Sequence, residues 1–200
     1  MFWDRVAGVY DIFANFINAK THRVLCEKVA ELIESSDEVL ECACGTGLLT
    51  SAVALRCHSL VATDFSKNML KRTEKKCAAY PNVTVQEANI LKLDFLDESF
   101  DKVIAGNVIH LLDEPYKALS ELDRVCKSGG QIIIPTYMNK GDDGKEGAWS
   151  EAVGKVGANF KREFTFASYQ AFFAEAGYED VNYTKIEGRI PCALAVIRKQ

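Results

Sequence analysis

The sequence predicts a doubly wound α/β protein, with a mostly parallel sheet covered by helices on both faces. Three observations carry this. From about residue 38 onward, short apolar runs alternate with amphipathic helical stretches, the signature of βαβ crossovers. The runs are nearly continuous in Val, Ile and Leu, as expected for strands buried on both sides. A glycine-rich turn joins the first run directly to the next helical stretch.

The first 35 residues read as helix. Val6, Val9, Phe13, Phe16 and Ile17 recur at helical spacing, and Leu25, Val29, Leu32 and Ile33 repeat the pattern after Thr21, an expected N-cap. The strand-like runs are 38–43, 59–64, 83–88, 102–107 and 130–137. Helical stretches at about 47–56, 66–79 and 114–126 separate them. The third has Asp113 as expected cap, Pro115 in its first turn, and Leu119, Leu122 and Val125 on one face. A last helix at about 166–176 follows Thr165 and stops at Gly177. Two closing strands, about 180–186 and 192–198, flank Glu187-Gly188-Arg189-Ile190-Pro191, which suits a hairpin. Residues 138–160 break the rhythm, being rich in Gly and charge with weak periodicity. They read as a surface loop or as a lid over a site.

Size and composition narrow the function. A chain of 200 residues, 48% hydrophobic and 26% charged, has the make-up of a folded globular protein, and we expect one domain over 1–200. The net charge of −4 argues against a nucleic-acid partner. The densest basic run, Lys71-Arg72-Thr73-Glu74-Lys75-Lys76, reads as a solvated helix face. No apolar stretch approaches the roughly 18 residues of a membrane span. Asp4 and Arg5 interrupt the run that a signal peptide would need, so we expect a cytoplasmic protein, monomer or homodimer. The seven cysteines include no Cys-x-x-Cys pair; we expect buried free thiols, no disulfide framework and no metal.

The chemistry concentrates at two strand ends. In Glu41-Cys42-Ala43-Cys44-Gly45-Thr46-Gly47 a strand enters a glycine turn that lets a ligand approach bare backbone. Next, Asp64 ends the second run in Val61-Ala62-Thr63-Asp64-Phe65-Ser66. A carboxylate there accepts hydrogen bonds from both hydroxyls of a ribose. These features fit a dinucleotide or a single-nucleoside cofactor. Three observations favour the second. Thr50 stands where the dinucleotide fingerprint has a third Gly or Ala, Glu41 would repel a pyrophosphate yet suits an ammonium, and the chain opens with a helical stretch.

With these motifs the chain resembles the class I S-adenosylmethionine-dependent methyltransferases, of the small-molecule type similar to ubiquinone and menaquinone biosynthesis enzymes. The resemblance runs from Tyr10-Asp11 to the final strand pair, with Ala43 at the first glycine of the family's acidic-x-Gly-x-Gly-x-Gly motif. It also takes in Leu122-Asp123-Arg124-Val125-Cys126-Lys127-Ser128-Gly129-Gly130. It implies a Rossmann-like seven-stranded sheet of order 3-2-1-4-5-7-6, strand 7 antiparallel. It implies S-adenosylmethionine as cofactor, with S-adenosylhomocysteine as product. Glu41 and the backbone at Ala43 would hold the methionyl amino group, and Asp64 the ribose. Phe65 would pack on the adenine, with Asn89 near its amino group. Gly45, Gly47, Met69, Ile90 and the Asn107 backbone would complete the cofactor site, and Tyr10 would help close it.

The acceptor side is less defined. His110, just past the fourth run, reads as a proton acceptor, a substrate-orienting wall or a structural residue. Tyr137 and Trp149 are expected in the substrate pocket, as wall rather than catalyst. After the fourth strand the chain keeps only the Asn of the Asn-Pro-Pro-aromatic motif of amino-group methylases. The function expected is methyl transfer to a small-molecule acceptor. The rivals are an NAD-linked oxidoreductase and a non-catalytic S-adenosylmethionine-binding protein. The helical N-terminus (1–35) and the 138–160 loop would cover the cofactor and handle the acceptor.

Overall fold

The computed structural model describes residues 18–138 and 161–200. The elements are α1 (Ala19–Glu31), β1 (Glu38–Cys42), α2 (Leu48–Val53), β2 (Ser59–Asp64), α3 (Lys67–Cys77) and β3 (Val83–Glu87). There follow β4 (Phe100–Ala105), a 3-10 turn (Ile109–Leu111), α4 (Pro115–Val125), β5 (Cys126–Tyr137), α5 (Phe166–Glu175), β6 (Val181–Ile186) and β7 (Cys192–Arg198). The seven strands form one sheet of order β3-β2-β1-β4-β5-β7-β6. β1 to β5 run parallel, and β7 is antiparallel to both β5 and β6. Fold class, strand order and the antiparallel seventh strand agree with expectation. Residues 1–17 and 139–160, and with them Tyr10, Trp149 and nearly all of the expected lid, lie outside the described residues.

Successive side chains of a strand point to opposite faces, and here both faces are covered. Leu40, Val103 and Ile132 pack with Leu119 and Leu122 of α4 and Tyr169 and Phe173 of α5. Their neighbours Val39, Ile104 and Ile133 pack with Leu25 and Val29 of α1 and Leu49 and Val53 of α2. Because β1 to β4 run parallel, the loops after β1, β2, β3 and β4 lie at one rim.

Three local expectations are corrected. Thr21 is not the cap of α1: the helix begins at Ala19, with Asn18 at the cap position. Thr21 Oγ1 instead donates to Asn18 Oδ1 (2.8 Å), and the Asn18 amide pairs in both directions with the Ile190 backbone (3.1 and 3.2 Å). Helix α4 takes Glu114 at the cap position with Pro115 next, and Asp113 pairs with Lys161 at 2.7 Å. Strand β5 starts at Cys126 rather than near 130. Gly129 turns at φ 77°, and Gly130 lies so close to β4 that a Cβ would sit 2.7 Å from the Asp101 carbonyl. The Ser-Gly-Gly that reads as a turn is thus part of a strand, and it coincides with a register shift between Phe100 and Lys102. Thr165 and Ser66 do cap their helices, and Gly177 follows α5 at φ 87°.

Candidate active site

The turn after β1 is set by three left-handed residues: Ala43 (φ 54°), Gly45 (φ 57°) and Gly47 (φ 76°), the last at the cap position of α2. Its backbone is locked to β2 and α3. Cys44 N–H donates to the Thr63 carbonyl (2.9 Å), Gly45 N–H to Asp64 Oδ2 (2.9 Å), and Thr73 Oγ1 to the Gly45 carbonyl (2.8 Å). A Cβ on Gly45 would meet nothing within 4 Å, so the turn presents bare backbone to open space. Asp64 Oδ1 accepts from Ser66 N–H at 2.8 Å.

Ala43, Gly45 and Asp64 border a cavity of about 410 Å³, whose lining does not include Gly47 or Glu41. Ala43 and Gly45 form one side, and Asp64, Phe65 and Met69 the next. Asn89 and Ile90 line it from the segment after β3, and Asn107 from the segment after β4. Phe65 is 51% exposed, an apolar ring held at the cavity edge. Asn107 has φ 53°, its N–H donating to the Pro135 carbonyl (2.7 Å) and its Oδ1 accepting from Tyr137 N–H (3.0 Å). One lone pair of Asn89 Oδ1 is taken by Leu91 N–H (3.0 Å), leaving one for a ligand.

Glu41 is buried at the end of β1, 2% exposed, and its Oε2 has no hydrogen-bond partner among the described residues. Burial pushes its carboxyl up to about 8, and the Asp64 carboxylate adds to this; the Thr50 hydroxyl and the Lys76 ammonium oppose it. An orphaned, desolvated acid is costly, and an ammonium brought beside it would relieve that cost. The residues therefore fit a ligand that carries both a ribose and an amino group.

The acceptor-side candidates do not converge with the cofactor-side set. His110 is 2% exposed and does not line the cavity; burial lowers its imidazole to about 3. Its carbonyl accepts from the Lys161 and Arg162 N–H groups (3.0 and 3.1 Å). Tyr137 is also buried, with its hydroxyl on His22 Nε2, on the side of the sheet covered by α1. Residues that sequence reasoning missed do line the cavity: Leu91, Gly106, Val108, Leu111 and Leu112. Their only signal was position, just past strand ends on the ligand-binding rim. Among the described residues, no cluster of His, Cys, Asp or Glu could hold a metal ion.

A family model described as a methyltransferase domain matches residues 40–134. The chain is 34% identical to a phosphatidylethanolamine N-methyltransferase from Cereibacter sphaeroides, over 74% of this chain and 72% of that enzyme. It belongs to the S-adenosylmethionine-dependent methyltransferases. This methyltransferase is also 28% identical to a demethylmenaquinone methyltransferase from Lactiplantibacillus plantarum, over 92% of this chain and 88% of that one. Its fold matches the crystal structure of a SAM-dependent methyltransferase from Thermotoga maritima with TM-score 0.74 and 18% identity, covering 99% of both chains.

Proposed function

We propose that the cavity binds S-adenosylmethionine and that the protein methylates a small, largely apolar acceptor. The carrying observation is the convergence on one cavity of Asp64, the exposed Phe65 ring and the left-handed backbone of Ala43 and Gly45, which follows closely in the chain on Glu41, whose buried Oε2 has no hydrogen-bond partner among the described residues. In this reading Glu41 and the Ala43 backbone hold the methionyl amino group. Asp64 holds the ribose hydroxyls, while Phe65, Met69 and Ile90 pack on the adenine and Asn89 meets its amino group. The backbone at Asn107 borders the methionyl end. When bound, the cofactor supplies a methyl group already activated for in-line displacement.

The protein then positions and excludes water, and such positioning supplies roughly 7–11 kcal/mol of the barrier without a covalent catalyst. His110, buried away from the cavity lining and held neutral down to about pH 3, is matched to a structural role rather than to proton abstraction at neutral pH. Two observations support an apolar acceptor. The cavity's far wall is Leu91, Val108, Leu111 and Leu112. The relatives above are named for a lipid and a quinone precursor.

The dinucleotide rival is disfavoured by Thr50, fully buried at the position of the third fingerprint glycine, and by Glu41. A thermal-shift comparison tests this. S-adenosylhomocysteine at 100 times its Kd should stabilise the fold by about 2.7 kcal/mol, and NAD should not. Stabilisation by NAD alone would overturn the reading. Label from methyl-labelled cofactor should pass to an organic-phase metabolite extract. Failure of transfer to every pool, with cofactor binding intact, would favour a non-catalytic binder.

A further inference from the structure

The helices on the two faces of the sheet carry opposite charge. α3 exposes Lys67, Lys71, Arg72, Lys75 and Lys76 against one acid, Glu74, and the layer it shares with α1 and α2 adds Lys20, Arg23 and Arg56. The other layer carries Glu114, Glu121, Asp123, Glu175, Glu179 and Asp180 on or beside α4 and α5, against Lys117 and Arg124, which pair with Glu114 and Glu121. The net charge of −4 therefore conceals a polarised molecule. Among the described residues Glu27 pairs with Arg23 (3.9 Å) and the strand-borne Glu87 with Lys67 (3.5 Å); α1 also carries Lys28 and Glu31, so the excess of positive side chains in this layer sits on α3.

Leu55, 71% exposed next to Arg56, puts a large apolar side chain on this layer. Phe65 and Met69 line the cavity, so the start of α3 forms part of the cavity wall. We infer that the α1–α2–α3 layer is a docking surface for an anionic lipid bilayer, and that the protein works on acceptors drawn from that bilayer. The surface stands on charge and exposure; its link to the acceptor rests on the reading proposed above.

The charge pattern favours a membrane over a nucleic acid. A flat bilayer meets one face only, and the acidic layer on the far side of the sheet is screened from it beyond a Debye length of about 8 Å. A flexible polyanion would instead reach around to the acidic layer. An exposed Leu beside cations suits a headgroup boundary, where an apolar tip enters and ammonium groups stay with the phosphates. Such a surface binds an acidic leaflet by roughly five-fold per cation.

Vesicle co-sedimentation of the full chain tests the inference. Vesicles of equimolar phosphatidylglycerol and phosphatidylcholine should carry the protein down, pure phosphatidylcholine vesicles should not, and salt should release it. The exposed pair Lys71→Gln with Lys75→Gln should weaken binding about 25-fold. Its thermal midpoint and S-adenosylhomocysteine shift should match the parent. Leu55→Gln should weaken binding further at high salt, where the charges are screened. Equal binding to neutral vesicles, undiminished binding by the double variant, or tighter binding to polyuridylate at equal phosphate concentration would each overturn the proposal. Because sedimentation needs no turnover and the cofactor shift is read on the same samples, loss of vesicle binding is distinguishable from failure of the methyltransferase reading.

Discussion

Ala43 holds a left-handed backbone, φ 54°, where an L-residue costs roughly 1–2 kcal/mol. In the sequence Ala43 stands where the family motif has its first glycine; the structure shows that the backbone conformation carries the cost. Ala43→Gly should remove the strain but gain unfolded-state freedom worth about 0.4–1 kcal/mol, for a net stabilisation of about 0.5 kcal/mol. Urea denaturation measures it, and a destabilised variant would mean that the methyl makes contacts worth more than the strain. Glu41 is the second strained point. Its folded carboxyl titrates near 8 against an ordinary 4.5, so the folded state binds a proton that the unfolded state releases between those values. Stability is therefore full below about pH 4.5 and declines as pH rises towards 8. Glu41→Gln should remove this decline, on the order of 4 kcal/mol, so the variant should match the parent near pH 5 and melt higher at pH 8–9. It should also bind S-adenosylhomocysteine 10–100-fold more weakly, and parent binding should tighten with pH up to about 8. A parent whose stability and affinity are flat from pH 5 to 8 would exclude this role. Asp64→Ala should cost affinity by about 100-fold or more, since two charge-assisted hydrogen bonds are lost at about 1.5–3 kcal/mol each; unchanged affinity would remove Asp64 from the site.

At the scale of elements, two tethers hold the rim in place. Arg124 of α4 donates to the Phe95 and Leu93 carbonyls (2.8 and 2.9 Å) and pairs with Glu121 and Asp97, while Leu93 N–H donates to Glu121 Oε2 (2.7 Å). The segment leading from the cavity's Asn89–Leu91 wall to β4 is thus fastened to a helix on one face. In the sequence, Arg124 belonged to a family motif; its physical task is to satisfy two backbone carbonyls of an irregular segment. Arg124→Met should cost about 2 kcal/mol, since the hydrogen bonds to carbonyls outweigh the partly exposed ion pairs, and should speed amide exchange in 93–97. The second tether joins the start of α1 to the β6–β7 loop. A Cβ on Gly188 would lie 2.0 Å from the buried Thr21 hydroxyl, itself bonded to Asn18. Gly188→Ala should therefore cost about 1–3 kcal/mol by overpacking. Relief of that cost in a Gly188→Ala/Thr21→Ala double variant would confirm the contact.

For the molecule as a whole, the cysteines behave as core. All seven are free, six are buried, and burial raises their thiols, Cys26 and Cys126 to about 11 and Cys42 and Cys192 to about 12. Thiolate is the reactive form. Alkylation at pH 8 should be slow for every thiol until denaturant is added, and reductant should leave the thermal midpoint unchanged. A midpoint that falls on reduction would reveal a disulfide and contradict the geometry. No helix among the described residues is long and apolar enough to cross a membrane. The apolar wall of the cavity belongs to this scale as well, because Leu91 and Leu112 come from segments after different strands and share no local pattern.

By itself the sequence determined the alternation of strands and helices, the α3 and α5 caps at Ser66 and Thr165, and the two strand-end acids Glu41 and Asp64. Each is a local or periodic property: side-chain period, cap chemistry, and a carboxylate at a predictable strand terminus. The tertiary structure decided what depends on neighbours far along the chain. It placed His110 and Tyr137 in the interior rather than on the cavity, because their surroundings are built from segments such as 161–162 and α1. It turned a Ser-Gly-Gly turn into the first part of β5, because the Gly130 backbone packs against β4. Among the described residues it left one Glu41 oxygen without a partner, which no spacing reveals, since desolvation is the sum of everything packed around a group. And it sorted an unremarkable total charge into two opposed faces, because charge is counted along the chain but a surface is assembled across it.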